Sequence, residues 1–338
     1  MREIRVAMLG FGGIAKSHKR GYEVFEKEGT PIKLVAICDI DPEQFTKVQE
    51  INLGAAHPYT MDGIATYTDL DEMLASEDFE MVDICLPSFL HKEYTIRMLE
   101  AGKHVLCEKP MALCEADCLE MIDTAKKCGK KLMIGQCLRF EPQYLYLKDL
   151  IDNETFGKVR YVNMTRLSAL PLWGFERWFQ NTARSGGCAM DLHIHDVDML
   201  RFLFGEPTAV SAVAVDDVTR WQYISSRFFY DGFVAEATGS WLEPQGHPFR
   251  AGYRVCFEKA TVVLDNTGIT VYKTDGESYK AEYGSANRMA EEIRLLATTI
   301  ADPDTVNTAN TPESAASTVA LVEALRKSAD NGGAMIKL

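Results

Sequence analysis

From Ile4 to Asp39 the chain reads as strand, glycine loop, helix, strand and acid, and that order leaves few folds open. Ile4–Leu9 is a short apolar run bounded by glycine, the pattern of a strand buried on both faces of a parallel sheet. Gly10-Phe11-Gly12-Gly13-Ile14-Ala15 follows, then a helical stretch from Lys16 to about Lys27 and a second apolar strand, Ile32–Cys38, ending at Asp39. In this G-x-G-x-x-A pattern the first glycine permits a tight turn and the second lets backbone approach a pyrophosphate. The small Ala15 lets helix and strand pack closely, and the helix N-terminus offers amide donors to phosphate. Asp39 stands where a carboxylate accepts from an adenine-ribose hydroxyl. Any one of these features also fits an ordinary glycine-rich turn; the whole series predicts a dinucleotide site.

Asp39 bears on which dinucleotide is bound. A carboxylate there repels the 2′-phosphate of NADP, and Ile40-Asp41-Pro42 offers no arginine to receive it. Lys47 is the nearest later base, well into the next helix. NAD is the expected cofactor.

The alternation continues. Asp41 to about Ile51 reads as a helix with its N-cap at Asp39 or Asp41, and Thr66–Asp69 leads into a short helix through Leu74. Met81–Leu86 is a buried strand broken by Pro87, and His91–Glu100 a helix stopped by Ala101-Gly102. His104–Cys107 is a strand ending in Glu108-Lys109-Pro110, Glu115–Lys127 a helix, and Lys131–Ile134 the last strand. Repeated strand–helix units of this length demand a doubly wound parallel sheet. Ligands of such sheets lie beyond the carboxyl ends of the strands. Three polar stretches fall there: Pro87–His91, Glu108–Pro110, and Gln136. Lys109, at a strand end and followed by proline, is a candidate proton donor or a cation facing an alkoxide, or else one exposed loop lysine among many.

From about Gln136 the pattern changes. After a helix, Pro142–Asp152, residues 158–166 alternate with period two. Similar strands follow at Ala209–Val215, Tyr223–Tyr230, Phe233–Trp241, Tyr253–Glu258, Thr261–Leu264 and Ile269–Tyr272, with hairpin turns at Asp231-Gly232 and Asn266-Thr267-Gly268. Strands without helices between them mean a largely antiparallel sheet. Two helices close the chain, about Ala286–Ala301 and Pro312–Lys327, the second with Thr311 as N-cap. The expected division is a dinucleotide-binding domain over 1–135 and an α+β domain over 136–338. Pro171–Phe179 reads as a mobile loop able to cover a substrate, with Arg139, Trp173 and Arg177 as residues that either touch substrate or are structural.

The 338 residues carry a net charge of −13 with no Lys/Arg run, which argues against nucleic acid and anionic membrane as partners. No apolar run approaches the roughly 20 residues of a membrane span, and Met1–Leu9 enters a strand pattern with no secretory h-region. Nine scattered cysteines, an odd number, read as reduced thiols. A cytoplasmic protein is expected. Cys107, Cys114 and Cys118 lack the fourth ligand and the tight spacing of a zinc site.

The other concentration of polar groups is Ser185–Asp198, where Gly186-Gly187 opens an apolar segment containing Asp191, His193, His195, Asp196 and Asp198. On a strand His193 and His195 would aim together at a metal. The spacing of Met190, Leu192, Ile194, Val197, Met199, Leu200 and Leu203 fits a buried helix better. There Asp191, His195 and Asp198 share a face and His193 points elsewhere. No metal is expected. Asp191 and His195, four residues apart, instead suit an acid/base pair in which the carboxylate orients the imidazole, with Asp198 as support.

With Gly10-x-Gly12-x-x-Ala15, the stretch Ala101-Gly-Lys-His-Val-Leu-Cys-Glu108-Lys109-Pro110, and Gly186-Gly-x-x-x-Asp191-x-x-x-His195-x-x-Asp198 in this order, the chain resembles the Gfo/Idh/MocA family over essentially its whole length. The resemblance implies an NAD(P)-dependent oxidoreductase acting on a sugar, polyol or cyclitol, with Lys109, Asp191 and His195 as catalytic residues. It implies cofactor contacts from Gly10, Phe11, Gly12, Gly13, Ile14, Asp39, Pro87, His91, Glu108 and Lys109, and a cis bond at Lys109–Pro110. Where the family commonly has Pro-Asn-x-x-His, this chain has Pro87-Ser88-Phe89-Leu90-His91. The resemblance further implies an open-faced sheet whose bare side joins subunits into a homodimer or homotetramer. Tyr223, Phe228, Phe229, Tyr230, Trp241 and Tyr253 would suit that surface. Two other functions occur among such relatives: NAD-dependent glycosidases, and regulators that keep the nucleotide fold only to sense a ligand.

Overall fold

The computed structural model describes residues 1–47, 60–302 and 304–338. They form two compact units, Met1–Phe140 with Ala286–Ala316, and Glu141–Ser285 with Ser317–Leu338. This differs from a single break at 135/136. The chain crosses at 140/141 and then returns, because the helix Arg288–Ala301 carries an apolar stripe. Ala290, Ile293, Leu296, Ala297 and Ile300 join the same buried cluster as Tyr22 and Phe25. A Cβ on Gly21 would lie 3.0 Å from the Ala290 nitrogen, so a glycine there lets the two helices meet.

The first unit is built on six parallel strands: β1 (Ile4–Leu9), β2 (Ile32–Cys38), β3 (Ala65–Tyr67), β4 (Met81–Ile84), β5 (His104–Glu108) and β6 (Leu132–Gly135). Their order is β3-β2-β1-β4-β5-β6. The order reverses between β1 and β4, which puts the ligand crevice of such a sheet at the carboxyl ends of those two strands. The helices between strands are α1 (Gly13–Glu28), α2 (Leu70–Ser76), α3 (His91–Glu100) and α4 (Glu115–Cys128). The helix expected from Asp41 begins as a 3₁₀ turn over Pro42–Phe45, with the Asp41 carboxylate accepting from the Glu43 amide at 3.1 Å. The part of that expectation from 48 to Ile51 lies outside the described residues.

The second unit opens with α5 (Pro142–Asp152) and β7 (Val159–Ala169). Three short helices follow: α6 (Thr182–Ser185), α7 (Gly187–Asp191) and α8 (Ile194–Phe204). Next come β8 (Ala209–Val215), β9 (Tyr223–Tyr230), β10 (Phe233–Glu243), β11 (Arg250–Phe257), β12 (Ala260–Asp265), β13 (Gly268–Lys273) and β14 (Ser278–Lys280). After α9 (Arg288–Ala301) and α10 (Pro312–Asp330), β15 (Ile336–Lys337) completes a sheet ordered β14-β13-β12-β11-β7-β10-β9-β8-β15. Only the β7–β10 pair is parallel. The fold is therefore the expected one, a doubly wound parallel sheet plus a large, mostly antiparallel one. Gly232 and Gly268, with φ of 87° and 95°, make the two predicted hairpin turns.

Side chains along β7 alternate, with Val162 and Met164 buried and Tyr161, Asn163 and Thr165 half-exposed on the other face. The aromatics divide accordingly, which corrects the expectation that all of them suit an open surface. Phe228, Trp241 and Tyr253 are buried in the unit's own core, while Tyr223, Phe229 and Tyr230 remain partly accessible. No helix among the described residues is long and apolar enough to cross a membrane.

Candidate active site

In the first unit the glycine loop and Asp39 form one hydrogen-bonded piece. Gly10 has φ +86°, and a Cβ there would meet the Cys85 carbonyl oxygen at 2.9 Å, so the turn leaving β1 requires glycine. The Phe11 amide donates to Asp39 Oδ2 at 2.6 Å and the Asp41 amide to Oδ1 at 2.8 Å. Burial raises the Asp39 carboxyl above its ordinary value, against the pull of those two amides. The Phe11 ring is buried, so this residue serves the loop through its backbone. α1 starts at Gly13, and no side chain caps it. A Cβ on Gly12 would meet nothing within 4 Å, so the chain is bare beside the helix start, whose first-turn amides have no helical acceptor. An uncapped helix start, a bare glycine and a fixed carboxylate fit a dinucleotide. Lys47 Nζ lies 2.6 Å from Glu43 Oε2 and 3.6 Å from Asp41 Oδ2, so its charge is engaged by nearby acids.

At the carboxyl ends of β4 and β5, two expected cofactor contacts turn out to be spent internally. His91 is 1% exposed, its Nδ1 2.7 Å from the Pro110 carbonyl oxygen and its Nε2 2.8 Å from that of Leu86. Its ring therefore ties the Pro87 turn to the Glu108–Pro110 turn. Glu108 is also buried; Oε1 lies 2.9 Å from His18 Nε2, and Oε2 accepts from the Lys109 amide at 3.0 Å. The buried carboxylate and imidazole are thus committed to internal partners, which leaves the main chain of these two turns as the part free to meet a cofactor. Pro87 precedes a 3₁₀ turn over Ser88–Leu90, in which Ser88 is buried. The Lys109–Pro110 bond is cis, as the resemblance implied. Lys109 itself is half-buried at the end of β5. Gln136 is buried, and Arg139 donates to the Ala309 carbonyl and to Ser314 Oγ at 2.9 and 2.8 Å, a structural use.

In the second unit Gly186 and Gly187 have φ of 72° and 70°. A Cβ on Gly187 would fall 2.2 Å from the Arg220 carbonyl oxygen, and one on Gly186 2.5 Å from Met190 Cβ. The single helix expected after them is two: α7 ends at Asp191 and α8 begins at Ile194. Both the Leu192 and His193 amides bond to the Cys188 carbonyl, so the helical ladder slips at this point. From Cys188 to Arg201 every residue is buried except Asp191 and His195, which are intermediate. The two predicted acid/base residues are the two points at which this buried segment opens.

Their neighbours are structural. His193 is buried with Nε2 2.9 Å from Ser226 Oγ, and burial lowers its pKa to about 3, so the ring is neutral. Asp198 is equally buried and accepts from Thr318 Oγ1 at 2.8 Å, which ties α8 to α10 and makes it a packing residue here. Asp196, which has no role in the expected acid/base pair, pairs with Arg166 of β7 at 2.9 and 3.2 Å. In the 171–179 loop Trp173 and Phe179 pack edge to face at 4.9 Å, and Trp178 stacks on Phe179 at 3.9 Å. Glu176 and Arg177 are exposed and left-handed, with φ of 48° and 53°.

Comparison with known proteins places this geometry. Residues 4–136 match the oxidoreductase family with NAD-binding Rossmann fold, and residues 144–263 match the GFO/IDH/MocA C-terminal domain. The chain belongs to the GFO/IDH/MocA family. Among its relatives in that family, inositol 2-dehydrogenase of Rhizobium meliloti is 33% identical over 223 residues, covering 63% of this chain and 60% of its own. The 2,7-anhydro-N-acetylneuraminate hydratase of Mediterraneibacter gnavus is 32% identical over 205 residues, covering 61% and 50%. The alignments thus span only about half to three-fifths of these curated relatives' length. A solved structure, the aldose–aldose oxidoreductase of Caulobacter crescentus complexed with glycerol, superposes over 100% of both chains with a TM-score of 0.83 and 26% identity.

The residues that sequence reasoning passed over are His18, Asp83, Glu292 and Arg166. Of these only Asp83 carries a local signal, a single charge in a strand as apolar as Met81–Leu86, which implies a buried partner; His18 and Glu292 stand among other polar residues of their helices.

Proposed function

We propose that this protein is an NAD-dependent dehydrogenase that moves a hydride between nicotinamide and a secondary hydroxyl carbon of a sugar, polyol or cyclitol. The observation that carries this reading is that Asp191 and His195 alone open an otherwise buried segment. A bound nicotinamide supplies the hydride acceptor. His195 takes the hydroxyl proton, Asp191 orients the imidazole and stabilises its protonated form, and Lys109 serves as a proton donor or a cation for an alkoxide. Gly12, Gly13 and Ile14 would receive the pyrophosphate, and Asp39 the adenine ribose. Incubation with NAD and a panel of polyols, sugars and cyclitols, followed by NADH absorbance, tests the reading. Turnover of at least one compound is expected; a panel with no reduced cofactor and no altered compound overturns it. A second reading draws on the Mediterraneibacter relative's name, that of a hydratase: loss or addition of water, which converts the compound without net NADH.

The preference for NAD rests on Asp39. Replacing Asp39 by alanine removes a charged acceptor from the Phe11 amide. It is expected to raise the NADH dissociation constant about tenfold or more and to narrow the gap between NADH and NADPH. Fluorescence titration with both cofactors checks this, and an unchanged ratio overturns it. The half-exposed face of the large sheet, with Val213, Val215 and Tyr272 about half exposed along it, supports a homodimer or homotetramer. Light scattering after size exclusion should give two or four chains; a single chain at micromolar concentration refutes this. Nine cysteines held as thiols, most of them buried, support a cytoplasmic setting.

A further inference from the structure

Beneath the Glu108–Pro110 turn lies a buried polar cluster drawn from four elements of the first unit. α1 supplies His18 and Tyr22, β4 supplies Asp83 with Cys85 just beyond it, β5 supplies Glu108, and α9 supplies Glu292. Tyr22 OH donates to Asp83 Oδ2 at 2.9 Å, and the Cys85 thiol lies 3.6 Å from Asp83 Oδ1. His18 Nδ1 is 3.0 Å from Asp83 Oδ2 and Nε2 is 2.9 Å from Glu108 Oε1. Glu108 Oε2 then holds the Lys109 amide at 3.0 Å. Glu292 stands beside the ring, with Oε1 3.7 Å from Nε2 and neither oxygen hydrogen-bonded.

Both ring nitrogens of His18 face carboxylate oxygens at hydrogen-bond distance, so both must carry protons and the ring is an imidazolium. Its pKa accordingly lies well above the ordinary value: burial opposes the charge and Asp83 restores it. Burial pushes the Glu292 carboxyl well up, against the pull of that cation. Packing alone would be served at least as well by apolar side chains of similar volume. A satisfied polar network instead fixes one arrangement of its members.

We propose that His18 is a positioning residue: by clamping Glu108 Oε1 while Oε2 holds the Lys109 amide, it fixes the backbone from which the Lys109 side chain leaves β5. His91 secures the following residue through the Pro110 carbonyl. The inference rests on the reading of Lys109 as the arm that contacts the reacting oxygen.

Two substitutions separate this role from general support of the core. Asparagine at position 18 places a donor near Nδ1 and keeps the Asp83 bond alone, whereas glutamine places one near Nε2 and keeps the Glu108 bond. Hydrogen exchange at the Lys109 amide is expected to quicken about tenfold or more in His18→Asn and to recover in His18→Gln, while the amides of Val105 and Leu106 stay protected in both. Equal exchange in the two variants, or none faster than in the parent, overturns the proposal. In ¹⁵N-histidine spectra of the parent protein at pH 8, His18 should show two protonated ring nitrogens. A bare Nε2, as metal ligation or a single acceptor would leave, overturns it as well. With NAD and the compound selected by the panel, kcat should fall about tenfold in His18→Asn at unchanged KM for NAD, and return in His18→Gln. Lys109→Ala in the same assay keeps the two readings apart. If it is fully active, the role of Lys109 fails; if it is inactive while His18→Asn is not slowed, the clamp fails.

Discussion

Replacing Lys109 by alanine is expected to lower kcat by about 10²-fold or more while NADH still binds. The residue follows β5, and its amide is tied to Glu108 Oε2, so the side chain leaves a fixed backbone. The residue as a whole is half-buried. The glycine loop and Asp39, held by the Phe11 and Asp41 amides, carry the pyrophosphate and ribose ends of the proposed cofactor site, so the dissociation constant for NADH should change little even though Lys109 is itself an expected cofactor contact. His195→Ala is expected to lose turnover to a similar degree, because its ring is one of two polar side chains that open from the 188–201 segment. Loss of kcat at near-constant cofactor affinity separates a role in the reaction from a role in the fold. Near-normal turnover in either variant would remove that residue from the mechanism.

How much of this was legible in the sequence depended on whether the signal was local. Gly10 and Gly12, the hairpin glycines and the helix His91–Glu100 are set by turn chemistry and periodicity within a few residues, and the structure has them where they were expected. The return of Ala286–Ala316 to the first unit was not legible, because an apolar stripe such as Ala290–Ile293–Ala297 does not say which core it joins. The same holds for polar partners. Asp196 and Asp198 sit on one helix in the same pattern as Asp191. What separates them is Arg166 and Thr318, which lie 30 and 120 positions away. Glu108 ends β5 and His91 opens α3, as their local patterns predict, yet their side chains turn inward, and only three-dimensional contacts reveal that.

Arg166→Met is expected to destabilise the second unit by about 3–5 kcal/mol, the usual cost of leaving one partner of a buried ion pair alone. Arg166 is 5% exposed and Asp196 fully buried, with two contacts at 2.9 and 3.2 Å, and Arg166 also bonds Tyr144 OH at 3.2 Å. Burial already raises the Asp196 carboxyl, and Arg166 is the group that pulls it back down. Without the guanidinium the folded-state pKa rises further above the unfolded one, so the folded state binds a proton that the unfolded state releases. Stability then falls as pH rises above the ordinary carboxylate range, and the defect is larger at pH 8 than at pH 5. Thermal unfolding should show a midpoint lower by on the order of 10 °C at neutral pH, with part of the loss recovered in acid. Replacing both partners, Arg166→Met with Asp196→Leu, removes the orphaned charge and should restore much of the difference. A single variant within about 1 kcal/mol of the parent, or a double variant no more stable than the single, would mean that this pair does not anchor α8 to β7.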